Sequence, residues 1–191
     1  MNKVLLALIM ILTVTGRGYG SPITPSSSAN SMKVINDEIW VATAFSYYSD
    51  KGYIYRFNYH NNDWKMYSFP KKVLCIENSD SNIYLGTYGK GIIIFDSKNS
   101  GSKSLITKIT DSGDIDEYES NCINAIVIDT QNIYCATPLG LSIYNIAKNT
   151  WKNYNSKNSP LPEGCIYDIK KKENKIWLTS SDLPQNIVPI F

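Results

Sequence analysis

Hydrophobic and polar residues along this chain fall into a pattern that recurs four times. The five-residue phrases IWVAT, IYLGT, IYCAT and IWLTS begin at Ile39, Ile83, Ile133 and Ile176, at spacings of 44, 50 and 43 residues. Each apolar or aromatic phrase follows a short segment rich in Asn, Asp, Ser or Lys, which favours a turn. The pattern predicts a β-strand that begins after a turn in each of four repeats.

Further strand-like segments surround these phrases. Apolar segments (VLCIE, CINAIVI and CIYDI) precede three of them, and YIYRFN, GIIIFD and GLSIYN follow three of them. In two units a polar turn and an aromatic strand come next, with Trp64 and Trp151 each six residues after an Asn. One unit therefore contains four strands in roughly 45 residues, which is typical of a β-propeller blade.

The sequence thus predicts an all-β fold, a β-propeller with about three and a half four-stranded blades. We expect blades at about 32–72, 73–121 and 122–164, and an incomplete one at 165–191. Apolar runs such as NAIVI and GIIIF suit inner strands that neighbouring blades cover on both faces. An all-β sandwich with strands of similar length is the alternative.

The N-terminal segment has the composition of an export signal. Lys3 precedes the mainly apolar run Val4–Thr15, and small residues follow as far as Gly20. Such a run is shorter than the ~20 residues needed to span a bilayer. We therefore predict a signal peptide at 1–20, a linker at 21–31, and a periplasmic or secreted mature chain without a membrane span. A buried strand or a short anchor is the alternative.

The net charge does not indicate a nucleic-acid partner. The chain has 19 basic and 17 acidic residues, a formal net charge of +2. Lys3 and Arg17 lie in the predicted signal peptide, which has no acidic residue, so the mature chain would be neutral. We therefore expect no nucleic-acid binding.

Two segments carry a resemblance to a known repeat. The segments 158–180 (NSPLPEGCIYDIKKKENKIWLTS) and 133–145 (IYCATPLGLSIYN) resemble the two-component regulator propeller repeat, which has similar IWLGT and GLxxYN phrases. The segments 83–110 and 39–69 match less well, and the resemblance covers about 32–191. It implies an exported, non-catalytic sensor-type propeller that binds a ligand or a protein.

Propellers of that family typically have seven blades, about twice the number predicted here. Self-association, or a partner that completes the ring, would resolve the difference. An open, solenoid-like chain stabilised by a partner is a second explanation, and a truncated piece of a longer sensor protein is a third.

Candidate binding residues are aromatic side chains in loops between second and third strands. Tyr47 and Tyr48 lie in the segment FSYYSDKGY, and Tyr88 lies in the equivalent loop of the next repeat. In a propeller these loops share one rim, where tyrosine rings can stack on a sugar or a peptide. We therefore predict a saccharide or peptide ligand at these residues, with packing between loops as the alternative.

Cys122 and Cys165 occupy the same repeat position, 43 residues apart, so adjacent blades are expected to bring them near disulfide range. Two buried thiols are the alternative. The single histidine, His60, lies in a hairpin on the opposite rim, and the acidic segment 111–120 matches no calcium-loop spacing. We predict no catalytic residue, no metal site and no cofactor; a lyase or hydrolase of the propeller kind is the alternative.

Overall fold

The computed structural model of the chain describes residues 27–45, 51–79, 82–96, 101–105, 121–181 and 188–190. These residues contain fifteen β-strands in four antiparallel sheets. They contain no helix, and hence none long and apolar enough to cross a membrane. The all-β prediction is confirmed.

Each sheet is formed by strands that are consecutive in the sequence. Sheet 1 contains β1 (Ser27–Ile35), β2 (Glu38–Phe45), β3 (Gly52–Asn58) and β4 (Asp63–Phe69). Sheet 2 contains β5 (Val73–Ser79), β6 (Asn82–Thr87), β7 (Ile92–Asp96) and β8 (Gly101–Leu105). Sheet 3 contains β9 (Ala125–Ile128), β10 (Asn132–Thr137), β11 (Gly140–Asn145) and β12 (Thr150–Tyr154). Sheet 4 contains β13 (Ile166–Lys172), β14 (Lys175–Ser180) and β15 (Val188–Ile190).

The repeated phrase occupies the same place in all four sheets. Its first residue is the second residue of the second strand of each sheet, and its exposed fraction is between 1% and 5%. These residues are Ile39, Ile83, Ile133 and Ile176. The repeat is therefore a structural one. β1 starts at Ser27, so strand structure extends into the segment 21–31 that the sequence predicts as a linker.

The turns explain why the strands pair in this register. Asn36 and Asp37 join β1 to β2, and both have positive φ angles, of 48° and 60°. Two positive φ angles in a two-residue loop define the type I′ turn, whose twist matches that of paired strands. Asn149 (φ 60°) has a similar conformation in the turn before β12, because asparagine tolerates the left-handed region better than most residues.

The chain divides into two compact units, Met1–Val73 and Leu74–Phe191. The first contains sheet 1. Ile39, Val41 and Phe57 form its buried cluster, and Trp64 packs against it. The ring centroids of Phe57 and Trp64, which are cross-strand partners, lie 4.4 Å apart.

In the second unit, sheet 3 packs between sheets 2 and 4. Successive residues of a strand point to opposite faces, and β10 shows this clearly. Ile133 and Cys135 pack in a cluster with Tyr84 of sheet 2. Tyr134 and Ala136 pack in a second cluster with residues of sheet 4. Ile166, Ile169, Ile176 and Leu178 form the sheet 4 side of that cluster. β10 is thus buried on both faces, as predicted for an inner strand of a blade.

Candidate functional site

A cleft of about 560 Å³ opens between sheets 3 and 4. Three turns meet at its mouth: the β9–β10 turn with Asp129 and Gln131, the β11–β12 turn with Lys148, and the β13–β14 turn with Asn174. The cleft therefore lies at the end of the sheets where first strands join second strands and third strands join fourth strands.

Strand alternation explains why the wall formed by sheet 3 is open. Trp151 of β12 packs on the side of sheet 2, so its neighbours Thr150 and Lys152 point toward sheet 4. Among the described residues, sheet 4 has three strands, and the third, β15, has three residues. The outer half of this face, including the partly exposed Ile143, borders the cleft.

Asp129 is the centre of a hydrogen-bonded network on the cleft wall. The Tyr134 hydroxyl donates to its Oδ2 atom at 2.9 Å, and Lys171 Nζ lies 3.0 Å from the same oxygen. The backbone amides of Gln131 and Asn132 each donate to its Oδ1 atom at 2.8 Å. Four donors thus surround a single carboxylate.

Two side-chain amides extend this network along the wall. Asn145 Nδ2 donates to Asn132 Oδ1 at 3.0 Å, and Asn132 Nδ2 donates to the Tyr134 hydroxyl oxygen at 3.3 Å. Asn145 Oδ1 accepts the backbone N–H of Lys148 at 2.9 Å. The network fixes these side chains before any ligand arrives.

The network also keeps its two charged groups ionised. Burial raises the pKa of Asp129, but the hydrogen bonds from Gln131, Lys171, Asn132 and Tyr134 outweigh it, and the net shift is downward. The hydrogen bond to Asp129 raises the pKa of Lys171. Burial and the same carboxylate raise the pKa of Tyr134, so its hydroxyl keeps its proton. At neutral pH the wall therefore carries an Asp129–Lys171 ion pair.

Two further lysines line the cleft. Lys152 Nζ lies 4.8 Å from the centroid of the Tyr154 ring, a cation–π contact. Lys148 lies in the β11–β12 turn. Neither lysine forms an ion pair with a residue in the described ranges. With three lysines and one carboxylate on its walls, the cleft has an excess of positive charge.

Of the predicted binding residues, Tyr88 does not line this cleft. Tyr47 and Tyr48 lie outside the described residues. Tyr88 lies in the β6–β7 turn, at the other end of its strands, and is 40% exposed. Its part in ligand binding stays a prediction. Sequence reasoning missed the cleft because it searched the loops between second and third strands.

No disulfide joins Cys122 and Cys165 in the structure. The carboxamide of Asn124 contacts both sulfurs, with Nδ2 at 3.2 Å from Cys165 Sγ and Oδ1 at 3.9 Å from Cys122 Sγ. The adjacent sheets thus bring both cysteines to one side chain, as the repeat suggests, but the structure contains no bond between them. The disulfide stays a prediction.

His60 is an exposed residue of the β3–β4 turn, where its ring lies 4.5 Å from that of Tyr59. This position agrees with its predicted place in a hairpin. The acidic segment 111–120 lies outside the described residues.

Comparisons with known proteins establish the fold. No protein-family model and no curated protein matches the chain. Among solved structures it is similar to the computationally designed Ika4 protein, with a TM-score of 0.62, 8% identity, and coverage of 92% of this chain and 96% of that one.

Two natural proteins give similar values. The extracellular domain of the hybrid two-component system BT3049 from B. thetaiotaomicron has a TM-score of 0.58 at 20% identity, with 88% of this chain and 22% of that one covered. The RRP9 WD40 repeats have a TM-score of 0.59 at 11% identity, with 92% and 52% covered. The chain therefore spans about a fifth of the first protein and about half of the second.

At identities this low the likeness shows the fold alone. The chain has the fold of a β-propeller, with three four-stranded blades and one three-stranded blade among its described residues. The predicted fold class is confirmed. Membership in the two-component regulator propeller repeat family stays a prediction, supported in coarse form by the likeness to BT3049.

Proposed function

We propose that this chain is an exported, non-catalytic propeller module that binds a ligand in the cleft between sheets 3 and 4. The observation that carries the proposal is the network on Asp129, which holds tyrosine, lysine and amide side chains in place around an open cleft of about 560 Å³. Ligand sites commonly combine a concave surface of this size with a few positioned polar groups.

Export and a sensory role are supported by two observations. The N-terminal segment has the pattern of a signal peptide. The proteins BT3049 and BT4673, whose folds are similar, are extracellular domains of two-component systems. A saccharide or a peptide is the expected ligand class, because tyrosine rings, amides and lysines suit either.

Binding without catalysis agrees with the state of Asp129. A general base must be free to accept a proton from a substrate near neutral pH. Asp129 instead has a lowered pKa and accepts hydrogen bonds from four donors. It therefore serves to position its neighbours.

The far face of sheet 4 bears on the proposal that a partner completes the ring. Asp168 and Lys170 stand there in exposed positions, where sheet 3 has Ala125 and Val127 at the equivalent places. Trp177, the cross-strand partner of Lys170, lies on the same face and is partly exposed, so completion of the ring by a partner or by self-association stays a prediction.

A variant that fills the cleft tests the proposed function. Thr150 is exposed and lines the cleft, so Thr150→Trp should obstruct the cleft without disturbing the core. Ser156→Trp, at an exposed turn residue that does not line the cleft, is the matched control. The melting temperature is measured with neutral oligosaccharides, acidic oligosaccharides and peptides, since a bound ligand raises it.

We expect at least one compound to stabilise the protein and the Ser156→Trp variant, and to lose this effect in Thr150→Trp. If no compound stabilises the protein, or if Thr150→Trp responds as well as the control, the cleft is not the binding site.

A further inference from the structure

We infer that the ligand of this cleft carries an anionic group, a carboxylate or a phosphate, and that Lys148 and Lys152 bind it. The inference rests on the proposed function, because it names the chemical class bound at the same site. One lysine of the cleft, Lys171, has a carboxylate partner, and the other two lysines have none in the described part of the chain.

The only carboxylate on the described cleft walls is already fully engaged. Asp129 accepts from two backbone amides through Oδ1, and from Tyr134 and Lys171 through Oδ2. Lys171 is neutralised by this contact at 3.0 Å. Asp129 therefore has no remaining capacity to balance Lys148 or Lys152.

Lys148 and Lys152 both line the same cleft and have no carboxylate partner in the part of the chain that the structure describes. Lys152 projects from β12 beside Tyr154, which guides its aliphatic stem along the wall. The Lys148 backbone is fixed by Asn145 Oδ1 at 2.9 Å. Two ammonium groups that line one cleft can donate charge-assisted hydrogen bonds to one anion.

Sheet 1 provides an internal comparison, because it presents the same lysine in the same place. Lys65 follows Trp64 as Lys152 follows Trp151, and its Nζ lies 5.2 Å from the centroid of the Tyr67 ring. In sheet 1, however, two carboxylates stand in the adjoining positions. Arg56, the cross-strand partner of Lys65, lies 3.6 Å from Glu38 and 3.2 Å from Asp63.

The equivalent positions of sheet 3 contain neither acid, have Ile143 in place of Arg56, and keep the lysine. The cross-strand row of Glu38 and Asp63 in sheet 1 corresponds to the row of Asn132 and Thr150 in sheet 3. The neutral side chains leave the charge of Lys152 unbalanced. In sheet 1 two acids thus accompany two cations, Arg56 and Lys65, whereas in sheet 3 the corresponding residues carry only the positive charge of Lys152.

Citrate and inorganic pyrophosphate are suitable probes, because one carries carboxylates and the other phosphate. Binding of each is measured by isothermal titration calorimetry at low and high salt, with the wild-type protein, Lys152→Ala and the Lys148→Ala/Lys152→Ala double variant. Lys65→Ala is the matched control, since it removes the same side chain from the same repeat position. All of these lysines are exposed, so the variants should fold.

We expect at least one probe to bind, with affinity about tenfold weaker after Lys152→Ala, as for one lost charge-assisted hydrogen bond. The double variant should bind more weakly still, added salt should weaken binding, and Lys65→Ala should leave it unchanged. If citrate binds and pyrophosphate does not, the ligand carries a carboxylate. If pyrophosphate binds and citrate does not, the ligand carries a phosphate.

Three results would overturn the inference. The first is that neither probe binds, and the second is that Lys65→Ala weakens binding as much as Lys152→Ala. The third is that the double variant binds a probe as tightly as the wild type does. If neither anion binds while a neutral compound stabilises the protein in a manner blocked by Thr150→Trp, the inference fails and the proposed function stands. If nothing binds, both fail.

Discussion

The two faces of sheet 3 are formed by the same strands, but one face is packed closely and the other borders the cleft. On the face toward sheet 2, the rings of Tyr144 and Trp151 pack 4.9 Å apart against Ile94, and the interface is closed. On the face toward sheet 4, Lys152 is exposed and Ile143 only partly buried, and the interface opens into the cleft. Because side chains alternate along β12, one strand supplies a core residue and a candidate ligand contact at adjacent positions.

This difference shows that packing in a repeated fold is decided face by face. An aromatic pair closes one face. A lysine, a threonine and short amides line the cleft on the other. The predictions that follow separate the two faces, since the closed face should respond to changes in volume and the open face to changes in hydrogen bonding and charge.

The largest effect is expected for Ile133→Ala on the closed face. Ile133 is 1% exposed and packs in the cluster between sheets 2 and 3. Loss of its side chain should lower the free energy of unfolding by about 3 kcal/mol, since it removes buried apolar surface and leaves a cavity. Urea unfolding measures this, with Lys152→Ala as a control that should change stability by less than about 0.5 kcal/mol. Equal effects of the two variants would contradict the distinction between the faces.

A smaller loss of about 2 kcal/mol is expected for Gly86→Ala, which adds volume to the closed face. A Cβ atom at Gly86 would lie 2.3 Å from Cys75 Sγ and 2.9 Å from the carbonyl oxygen of Ile123. The carbonyl oxygen of Ile123 belongs to the backbone, so it cannot easily move to make room for the added methyl group. Thermal unfolding measures the loss, and Thr150→Trp on the open face should cause much less despite its larger added volume. If Gly86→Ala leaves the melting temperature unchanged, sheets 2 and 3 pack loosely.

On the open face, Tyr134→Phe should cost about 1.5 kcal/mol, since it removes two hydrogen bonds that each contribute about 0.5 to 1.5 kcal/mol. The variant removes the donor to Asp129 Oδ2 and the acceptor for Asn132 Nδ2 while keeping the ring. Tyr167→Phe, at a residue that is 57% exposed, is the control and should have little effect. No change in Tyr134→Phe would mean that the network does not support the wall.

The smallest effect is a dependence of stability on pH. The pKa of Asp129 is lowered from its ordinary value of 3.8 in the folded chain. Its stabilising contribution is therefore present above the unfolded pKa and is lost as the pH falls through the lower folded pKa. Asp129→Asn should be less stable than the wild type at pH 7, and the gap in melting temperature should narrow near pH 3. A gap that widens in acid would contradict the ion pair with Lys171.

The sequence predicted the strands because their signals are local. A turn rich in Asn and Asp, followed by an apolar phrase, places Ile39, Ile83, Ile133 and Ile176 on equivalent strands without knowledge of any distant contact. The buried faces follow from the same periodicity. The fold class and the order of the strands could therefore be predicted from the pattern and spacing of residues in the sequence.

The cleft was not predicted because it depends on distant segments. Asp129, Asn145 and Lys171 come from three different turns or strands, and only the stacking of sheets 3 and 4 brings them together. One sequence signal was available. Comparison of aligned repeats shows that Glu38 and Asp63 give way to Asn132 and Thr150 while the lysine after the tryptophan remains.

NMR of the side-chain amides tests the central claim most directly, that an anionic ligand enters the cleft of sheet 3. The ¹⁵N-labelled protein is titrated with citrate or pyrophosphate, whichever binds more tightly. The account predicts saturable shifts for Asn132, Asn145 and Asn174, which line the cleft, and none for Asn58, the equivalent of Asn145 in sheet 1. Shifts at Asn58 as large as those at Asn145, or none at the three cleft residues, would contradict it.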